Sequence, residues 1–180
     1  AAIRAAQLGL KTAIVEREAL GGVCLNWGCI PTKALLKSGE VYEQLGHLGD
    51  YGLAVEGRSF DFAKVVDRSR KVAAQLAAGV GYLMKKNKIE VIEGTAVLEK
   101  GEGAPALVVA LKAGGERRVQ AKAVILATGA RAKTIPAAGL APDGEAIWTY
   151  REAMVPKAAP KSLLVIGSGA IGIEFASFYR

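Results

Sequence analysis

The sequence predicts an α/β fold in which helices alternate with the strands of a parallel sheet, interrupted by a small antiparallel excursion. Three observations carry this prediction. A short β-branched run at residues 12–15 follows a helical segment, strand-like runs dominate residues 89–121, and an apolar strand at residues 162–166 leads through GSGAIG into a helix. A strand, a glycine-rich turn and a helix in that order are typical of a Rossmann-like dinucleotide-binding unit.

The composition of the 180-residue chain is that of an ordinary globular protein, with 51% apolar and 23% charged residues. No apolar run reaches roughly 18 residues, so no membrane-spanning helix is expected. The net charge of +7 does not by itself indicate a nucleic-acid partner, because the basic residues are spread along the chain. Their densest cluster, at residues 85–88, closes a predicted helix, where cations interact favourably with the helix dipole.

The first residues carry apolar side chains at helical spacing, and we interpret them as the second half of a helix. Because there is no initiator methionine and residues 173–180 are again a helical run, we expect an interior piece of a longer protein. The strand at residues 12–15 ends in Glu16. A carboxylate at the tip of the second strand of a βαβ unit is suited to accept hydrogen bonds from ribose hydroxyl groups.

Two helices are predicted after Cys24 and Cys29, the two cysteines of the chain. The first covers residues 33–45, and Asp61 can cap the second, which is long. Its inner face is expected to consist of seven residues at helical spacing: Phe62, Val65, Val66, Ser69, Val72, Leu76 and Leu83.

From residue 89 the hydrophobic period becomes that of strands, in the runs IEVIEGTAVLE, ALVVAL and ERRVQA. Residues 123–127 form a continuous apolar run, as expected of a strand buried on both faces, and are followed by Thr128 and Gly129. A boundary is predicted near residues 140–145, which separates a first domain at residues 1–143 from the start of a second at residues 144–180. In the second domain, a short helix near residues 150–154 precedes the strand at residues 162–166.

The three glycines of GSGAIG have the spacing G-x-G-x-x-G between a strand and an amphipathic helix. We expect Gly167 to make the tight turn, Gly169 to let backbone approach a pyrophosphate, and Gly172 to allow close packing of the helix on the strand. The N-terminus of the helix then faces the negative charge. These residues predict nucleotide binding.

The two cysteines, Cys24 and Cys29, lie five positions apart in GGVCLNWGCIPTK. Zinc usually takes four ligands, whereas the chain offers two cysteines and His47, so no metal site is predicted. A structural disulfide would close a loop too short to constrain much of the unfolded chain. On an ideal helix the two Cα atoms would lie roughly 8.6 Å apart, so the segment must bend if the sulfurs are to bond, as Gly28 and Pro31 permit. We favour a redox pair, because a short bridge in distorted backbone is readily reduced.

The segment GGVCLNWGCIPTKALL resembles the active-site signature of the pyridine-nucleotide disulfide oxidoreductases, a family of FAD-dependent dimers. ATGA at residues 127–130 resembles the end of their second flavin-contacting strand, and LLVIGSGAIGIEFASFY resembles the start of their NAD domain. The cysteine motif is most similar to that of the members that oxidise dihydrolipoamide. Glutathione and mercuric reductases more often carry valine where Leu25 and Ile30 stand.

The resemblance implies that Cys24 exchanges with dihydrolipoamide, whereas Cys29 lies against the flavin and passes electrons onward to NAD. Lys33 matches the lysine near the flavin N5 edge and Glu174 the acid that pairs with it, so we expect a Lys33–Glu174 contact. The family's catalytic histidine base has no counterpart, and His47 is not assigned that role. Six further residues are matched to FAD: Glu16 at the adenosine ribose, the glycine pair Gly21 and Gly22, Ala96 near the adenine, and Thr128 and Gly129.

The resemblance also implies an enzyme that uses FAD and NAD and acts as a homodimer. Its expected partners are the lipoyl domains of 2-oxo acid dehydrogenase complexes or of the glycine cleavage system, with no nucleic acid and no membrane. The expected location is the cytoplasm, or the mitochondrial matrix in a eukaryote, and the chain by itself is not expected to be a competent enzyme. Two alternatives stay open: an NADPH-dependent reductase similar to glutathione or mercuric reductase, and a thiol switch or nucleotide-binding regulatory module without turnover.

Overall fold

The computed structural model describes all residues from 1 to 180. It contains six α-helices: α1 (Ala2–Gln7), α2 (Gly22–Trp27), α3 (Cys29–Gln44), α4 (Phe62–Lys86), α5 (Tyr150–Met154) and α6 (Ala170–Tyr179). Its four strands are β1 (Ala13–Glu16), β2 (Glu90–Glu99), β3 (Ala106–Leu111) and β4 (Glu116–Gln120). None of the helices combines the length and the apolar character that crossing a membrane would require.

The four strands form one sheet in the order β1-β2-β3-β4. The first half of β2 pairs in parallel with β1, with Glu93 opposite Glu16, and its second half pairs antiparallel with β3. β4 then adds antiparallel to β3. The predicted fold class, α/β with parallel strands and a small antiparallel excursion, is confirmed, although the parallel part of the sheet consists of the single pair β1 and β2.

The chain divides into two compact units. One unit comprises Ala1–Gly21 and Leu76–Gly129 and holds the sheet, with Ile92, Ala106 and Val109 buried. The other comprises Gly22–Gln75 and Ala130–Arg180 and is helical. Its core is a cluster of four buried residues on α3, α5 and α6: Leu35, Ala153, Met154 and Phe175. The predicted domain boundary at residue 143 follows a different division of the chain and stays a prediction.

Helix α4 begins as predicted, because the N–H of Lys64 donates to Asp61 Oδ1 at 3.1 Å. The predicted inner face is correct in the first turns and wrong further along. Val66 and Ser69 are buried, whereas Leu76 and Leu83 are exposed. The buried stripe continues instead through Ala73 and Met84. At 3.6 residues per turn these two residues lie beside the large apolar residues that the sequence pattern had placed on the inner face.

The predicted buried strands at residues 123–127 and 162–166 are wrong for this structure. Neither segment pairs with the sheet, which ends at β1 on one side and β4 on the other. Their side chains are largely exposed, as shown by Ile125 at 73% and Leu164 at 85%. An apolar run predicts a buried strand only if neighbouring strands satisfy its backbone, and no strand of this chain lies beside either run.

Candidate active site

Cys24 and Cys29 form a disulfide, with their Cα atoms 4.8 Å apart. This separation is compatible with a bridge, whereas a continuous helix would hold the two atoms roughly 8.6 Å apart. The bend that the spacing requires is a break between two helices. Cys24 lies on α2, which was not predicted from the sequence, and Cys29 is the first residue of α3.

The break occurs at Gly28, where φ is −137° and ψ is −119°, far from helical values. A Cβ atom on Gly28 would lie 3.0 Å from Cys24 Cα and 3.0 Å from the carbonyl oxygen of Val23. The two helices therefore approach so closely here that any side chain would force them apart by a few tenths of an ångström.

The other side of the break is closed by Thr32. Its backbone N–H and its hydroxyl both donate to the carbonyl oxygen of Gly28, at 3.1 and 2.8 Å. Pro31 is buried in the first turn of α3, where an N–H has no partner within the helix, so proline is tolerated. Pro31 and Thr32 thus allow α3 to begin at Cys29.

The two cysteines differ in electrostatic surroundings. Cys29 stands at the N-terminus of the 16-residue helix α3, whose first turn carries no acidic side chain, and Lys33 follows one turn later. A helix N-terminus and a nearby cation both favour a thiolate. Cys24 is the third residue of the much shorter, six-residue helix α2, and no cation follows it one turn later. After reduction, negative charge is therefore favoured on Cys29 over Cys24.

The expected contact between Lys33 and Glu174 is present, because Lys33 Nζ donates to Glu174 Oε1. The ion pair joins α3 to α6, next to the core contact of Leu35 with the α6 residue Phe175. The Lys33 side chain is 62% exposed and that of Glu174 26%. The pair is accessible, as a contact to a ligand would require, while its assigned place near a flavin stays a prediction.

The glycine-rich turn before α6 has the local geometry that was predicted. Gly167 has φ of +111°, which a side chain would strain, and Gly169 is the N-cap of α6 with open space where a Cβ would be. A Cβ on Gly172 would lie 2.8 Å from Val165 Cγ1, so the helix packs closely on the preceding segment. A ten-residue helix with an open, small-residue N-terminus fits the pyrophosphate of a dinucleotide.

The residues matched to FAD lie mostly in the sheet-containing unit. Glu16 is half-buried at the end of β1, and its Oε1 accepts a hydrogen bond from the N–H of Glu18 at 2.8 Å. This fixes the carboxylate at the strand tip, as ribose binding would need. Ala96 is exposed on β2, opposite Val109 of β3.

The remaining FAD candidates are exposed and lie at irregular backbone. Thr128 and Gly129 follow the 123–127 segment, and Gly129 has φ of +76° with open space at its Cβ position. Gly21 and Gly22, with φ of +100° and +71°, form the turn into α2. Turns of this kind leave backbone accessible to a cofactor, and the cofactor roles of these residues stay predictions.

His47 lies in an exposed loop, with Nδ1 3.9 Å from Asp50. Sequence reasoning missed Asn26 and Trp27, although both stand between the cysteines. Asn26 is buried, and its Nδ2 donates to the carbonyl oxygen of Gly22 across the length of α2. Their position inside the motif was the available signal.

A disulfide at a helix N-terminus, in a chain that also carries a dinucleotide-type glycine turn, is typical of one class of protein: nucleotide-dependent thiol–disulfide redox proteins. The comparisons with known proteins give the family. The family model described as pyridine nucleotide-disulphide oxidoreductase matches residues 1–180, and the chain belongs to this family. The resemblance found in the cysteine motif is thereby confirmed.

Several curated relatives are dihydrolipoyl dehydrogenases. The one from Rhizobium etli is 58% identical over 192 residues, covering 100% of this chain and 40% of the relative. The one from Zymomonas mobilis is 55% identical over 179 residues, covering 99% and 37%, and the one from Bacillus subtilis is 46% identical over 182 residues, covering 98% and 38%. The chain thus spans about two fifths of the length of these relatives.

A solved structure shares the fold. The crystal structure of LpdA from Mycobacterium tuberculosis superposes with a TM-score of 0.88 at 24% sequence identity, covering 99% of this chain and 38% of that one. At this identity the likeness concerns the arrangement of helices and strands alone.

Proposed function

We propose that the protein is a flavin-dependent disulfide oxidoreductase that oxidises protein-bound dihydrolipoamide and transfers the electron pair through Cys24–Cys29 and FAD to NAD. The observation that carries this proposal is the Cys24–Cys29 disulfide at the start of α3. The names of the relatives at 46–58% identity support the choice of dihydrolipoamide as the substrate.

The asymmetry of the two cysteines sets the order of thiol exchange. A thiolate of dihydrolipoamide attacks Cys24 Sγ, the bond between the cysteines breaks, and Cys29 leaves as a thiolate. The more stable thiolate is the better leaving group, and the N-terminus of α3 stabilises Cys29. The second lipoamide thiol then gives up its proton and attacks the mixed disulfide, releasing the Cys24 thiolate, which takes up that proton, and closing the lipoamide disulfide. Two electrons have moved to the cysteine pair.

The residues present fit the two cofactors. When bound, FAD would supply a two-electron acceptor for the reduced cysteines, and NAD would supply an acceptor for hydride. Glu16 would accept hydrogen bonds from the FAD ribose. The ion pair with Glu174 would hold the positive charge of Lys33 in place beside the flavin. The N-terminus of α6 would hold the NAD pyrophosphate, with Gly169 allowing close approach.

The partners and the location belong to the same proposal. The lipoyl domains of 2-oxo acid dehydrogenase complexes or of the glycine cleavage system would deliver the dithiol to a homodimer, in the cytoplasm or in a mitochondrial matrix. Cys24 is exposed, so a dithiol on a mobile arm can reach it.

The test compares Cys24→Ser with Cys29→Ser in the FAD-loaded, full-length protein of which this chain is expected to be a part. Both substitutions should abolish dihydrolipoamide-dependent reduction of NAD. Two-electron reduction of the unsubstituted protein should produce long-wavelength absorption from a thiolate against the flavin, and Cys29→Ser should remove this absorption while FAD stays bound.

Two outcomes would contradict the proposal. If the absorption persists in Cys29→Ser, the role given to Cys29 is wrong. If NADPH and glutathione disulfide support turnover while dihydrolipoamide and NAD do not, the substrate assignment is wrong and the protein is a reductase of the glutathione type.

A further inference from the structure

Trp27 is held by two arginines from other helices. The Arg70 guanidinium of α4 lies 4.2 Å from the centroid of the Trp27 ring, and the Arg151 guanidinium of α5 lies 4.7 Å from it. Both distances are within the range of a cation–π interaction, in which tryptophan is the strongest aromatic partner. We call these three residues the Trp27 clamp.

The Trp27 clamp acts on the backbone between the cysteines. Arg70 also donates a hydrogen bond of 2.7 Å to the carbonyl oxygen of Asn26, near the C-terminus of α2. The last carbonyl groups of a helix have no partner within it, so a cation that binds one of them stabilises the helix end. Arg70 therefore fixes α2 just before the break at Gly28.

Arg70 contacts the core directly, whereas Arg151 belongs to a helix that supplies two core residues. Arg70 contacts Sδ of Met154 at 3.3 Å, and Met154 is fully buried. Arg151 belongs to α5, which starts at a capping box between Thr149 and Glu152. The clamp thus ties the cysteine segment to α4 and α5, neither of which carries a cysteine.

Placing two guanidinium groups near one ring is unfavourable in itself. Burial lowers the pKa of Arg70, and the neighbouring charge of Arg151 lowers it further. The indole face and the Asn26 carbonyl both offset this repulsion, and a residue without an aromatic face at position 27 would remove the first of these contributions.

We propose that Trp27, held by Arg70 and Arg151, is a positioning residue that keeps Cys24 and Cys29 close together after the disulfide is reduced. In the oxidised protein the covalent bond holds α2 against α3. In the reduced protein only non-covalent contacts maintain the break, and among them the clamp ties the residues between the two thiols to α4 and α5. Without it the reduced segment gains conformational freedom, so reduction becomes easier.

This inference rests on the proposed role of Cys24–Cys29 as a redox pair, but its test needs neither flavin nor dihydrolipoamide. The full chain is equilibrated with mixtures of glutathione and glutathione disulfide. Two glutathione thiols are oxidised to one disulfide, their two protons and two electrons passing to Cys24 and Cys29. The reduced fraction is read by thiol alkylation and mass spectrometry, and folding is followed by circular dichroism.

Trp27→Leu removes the ring and should lower the equilibrium constant for disulfide formation about tenfold, which makes the potential about 30 mV less negative. Trp27→Phe retains an aromatic face and should stay within about twofold of the unsubstituted protein. The matched control is Trp148→Leu, because Trp148 packs against the same core cluster and is not part of the clamp. Trp148→Leu should have the same equilibrium constant for disulfide formation as the unsubstituted protein.

The proposal is overturned if folded Trp27→Leu keeps the original equilibrium constant, or if Trp148→Leu shifts it equally. Should Trp27→Leu fail to fold, Arg151→Gln decides: a shift of about threefold towards the dithiol supports the clamp and an unchanged value refutes it. If the unsubstituted protein does not oxidise dihydrolipoamide, but the variants shift the glutathione equilibrium as expected, only the proposed function is overturned.

Discussion

Replacing Gly28 with alanine tests whether the close approach at the helix break is necessary. The new Cβ would meet two backbone atoms, Cys24 Cα and the carbonyl oxygen of Val23, both at 3.0 Å. Backbone cannot rotate away as a side chain can, so α2 and α3 must separate. Overpacking of this kind costs about 1–3 kcal/mol. For a chain of this size, about 2 kcal/mol corresponds to a fall in melting temperature of about 4–8 °C.

The assay is thermal unfolding of oxidised and reduced protein, followed by circular dichroism. The fall should be largest in the oxidised Gly28→Ala variant, because the disulfide keeps the helices together and the strain cannot relax. In the reduced variant the segment can open, so the difference from unsubstituted reduced protein should shrink.

Gly39→Ala is the matched control. Gly39 lies in α3, the helix that Gly28 precedes, and no atom that could clash lies within 4 Å of its Cβ position. Alanine there should raise the free energy of unfolding by roughly 0.5–1 kcal/mol. A Gly28→Ala variant that melts like the unsubstituted protein, or falls equally in both redox states, would refute the account of the break.

Three further predictions concern pH and charge. Burial raises the pKa of Tyr179 to about 12, so stability should fall between about pH 10 and 12, where the unfolded chain ionises first. Tyr179→Phe should lose that fall, along with about 1 kcal/mol for the missing hydrogen bond to the Ala153 carbonyl, as measured by urea unfolding across pH. Backbone N–H groups, first that of residue 147 and then that of residue 145, hold the pKa of Asp143 below its usual value. Stability should therefore fall in acid below about pH 4, and Asp143→Asn should flatten that decline; an unchanged acid limb would contradict it. Lys33→Met and Glu174→Gln should each lower the free energy of unfolding by less than about 1 kcal/mol, because the pair is partly exposed. A double-mutant cycle that returns a much larger coupling energy would show that the pair is structural.

The sequence predicted those features that depend on residues close together in the chain. The hairpin strands β2 to β4 are marked by alternation and by glycine turns, and the cap of α4 by a single aspartate. The Lys33–Glu174 contact spans 141 positions and could be predicted only through the family resemblance. Nothing in the local pattern of either residue indicates the other.

The errors have a common physical cause. The spacing of apolar residues indicates which side chains favour burial. Burial also requires another part of the chain to pack against them. The runs at residues 123–127 and 162–166 have no neighbouring strand, and so they stay exposed. The short helix α2 was missed for another reason. Six residues with glycine at the start carry too little helix propensity to be recognised, and tertiary contacts of Asn26 and Trp27 stabilise it.

One structural device accounts for both chemical properties of the cysteine pair. Five positions on a continuous helix would keep the sulfurs apart, so closing the disulfide requires the helix to break between them. A break before Cys29 makes that residue the first of a new helix, where backbone N–H groups are unpaired and negative charge is favoured. The break at Gly28 therefore both brings the two sulfurs together and makes Cys29 the cysteine at which a thiolate is favoured. It follows that a substitution that restores a continuous helix must weaken both the disulfide and the preference for a thiolate at Cys29, whereas one that alters Lys33 alone affects only the second.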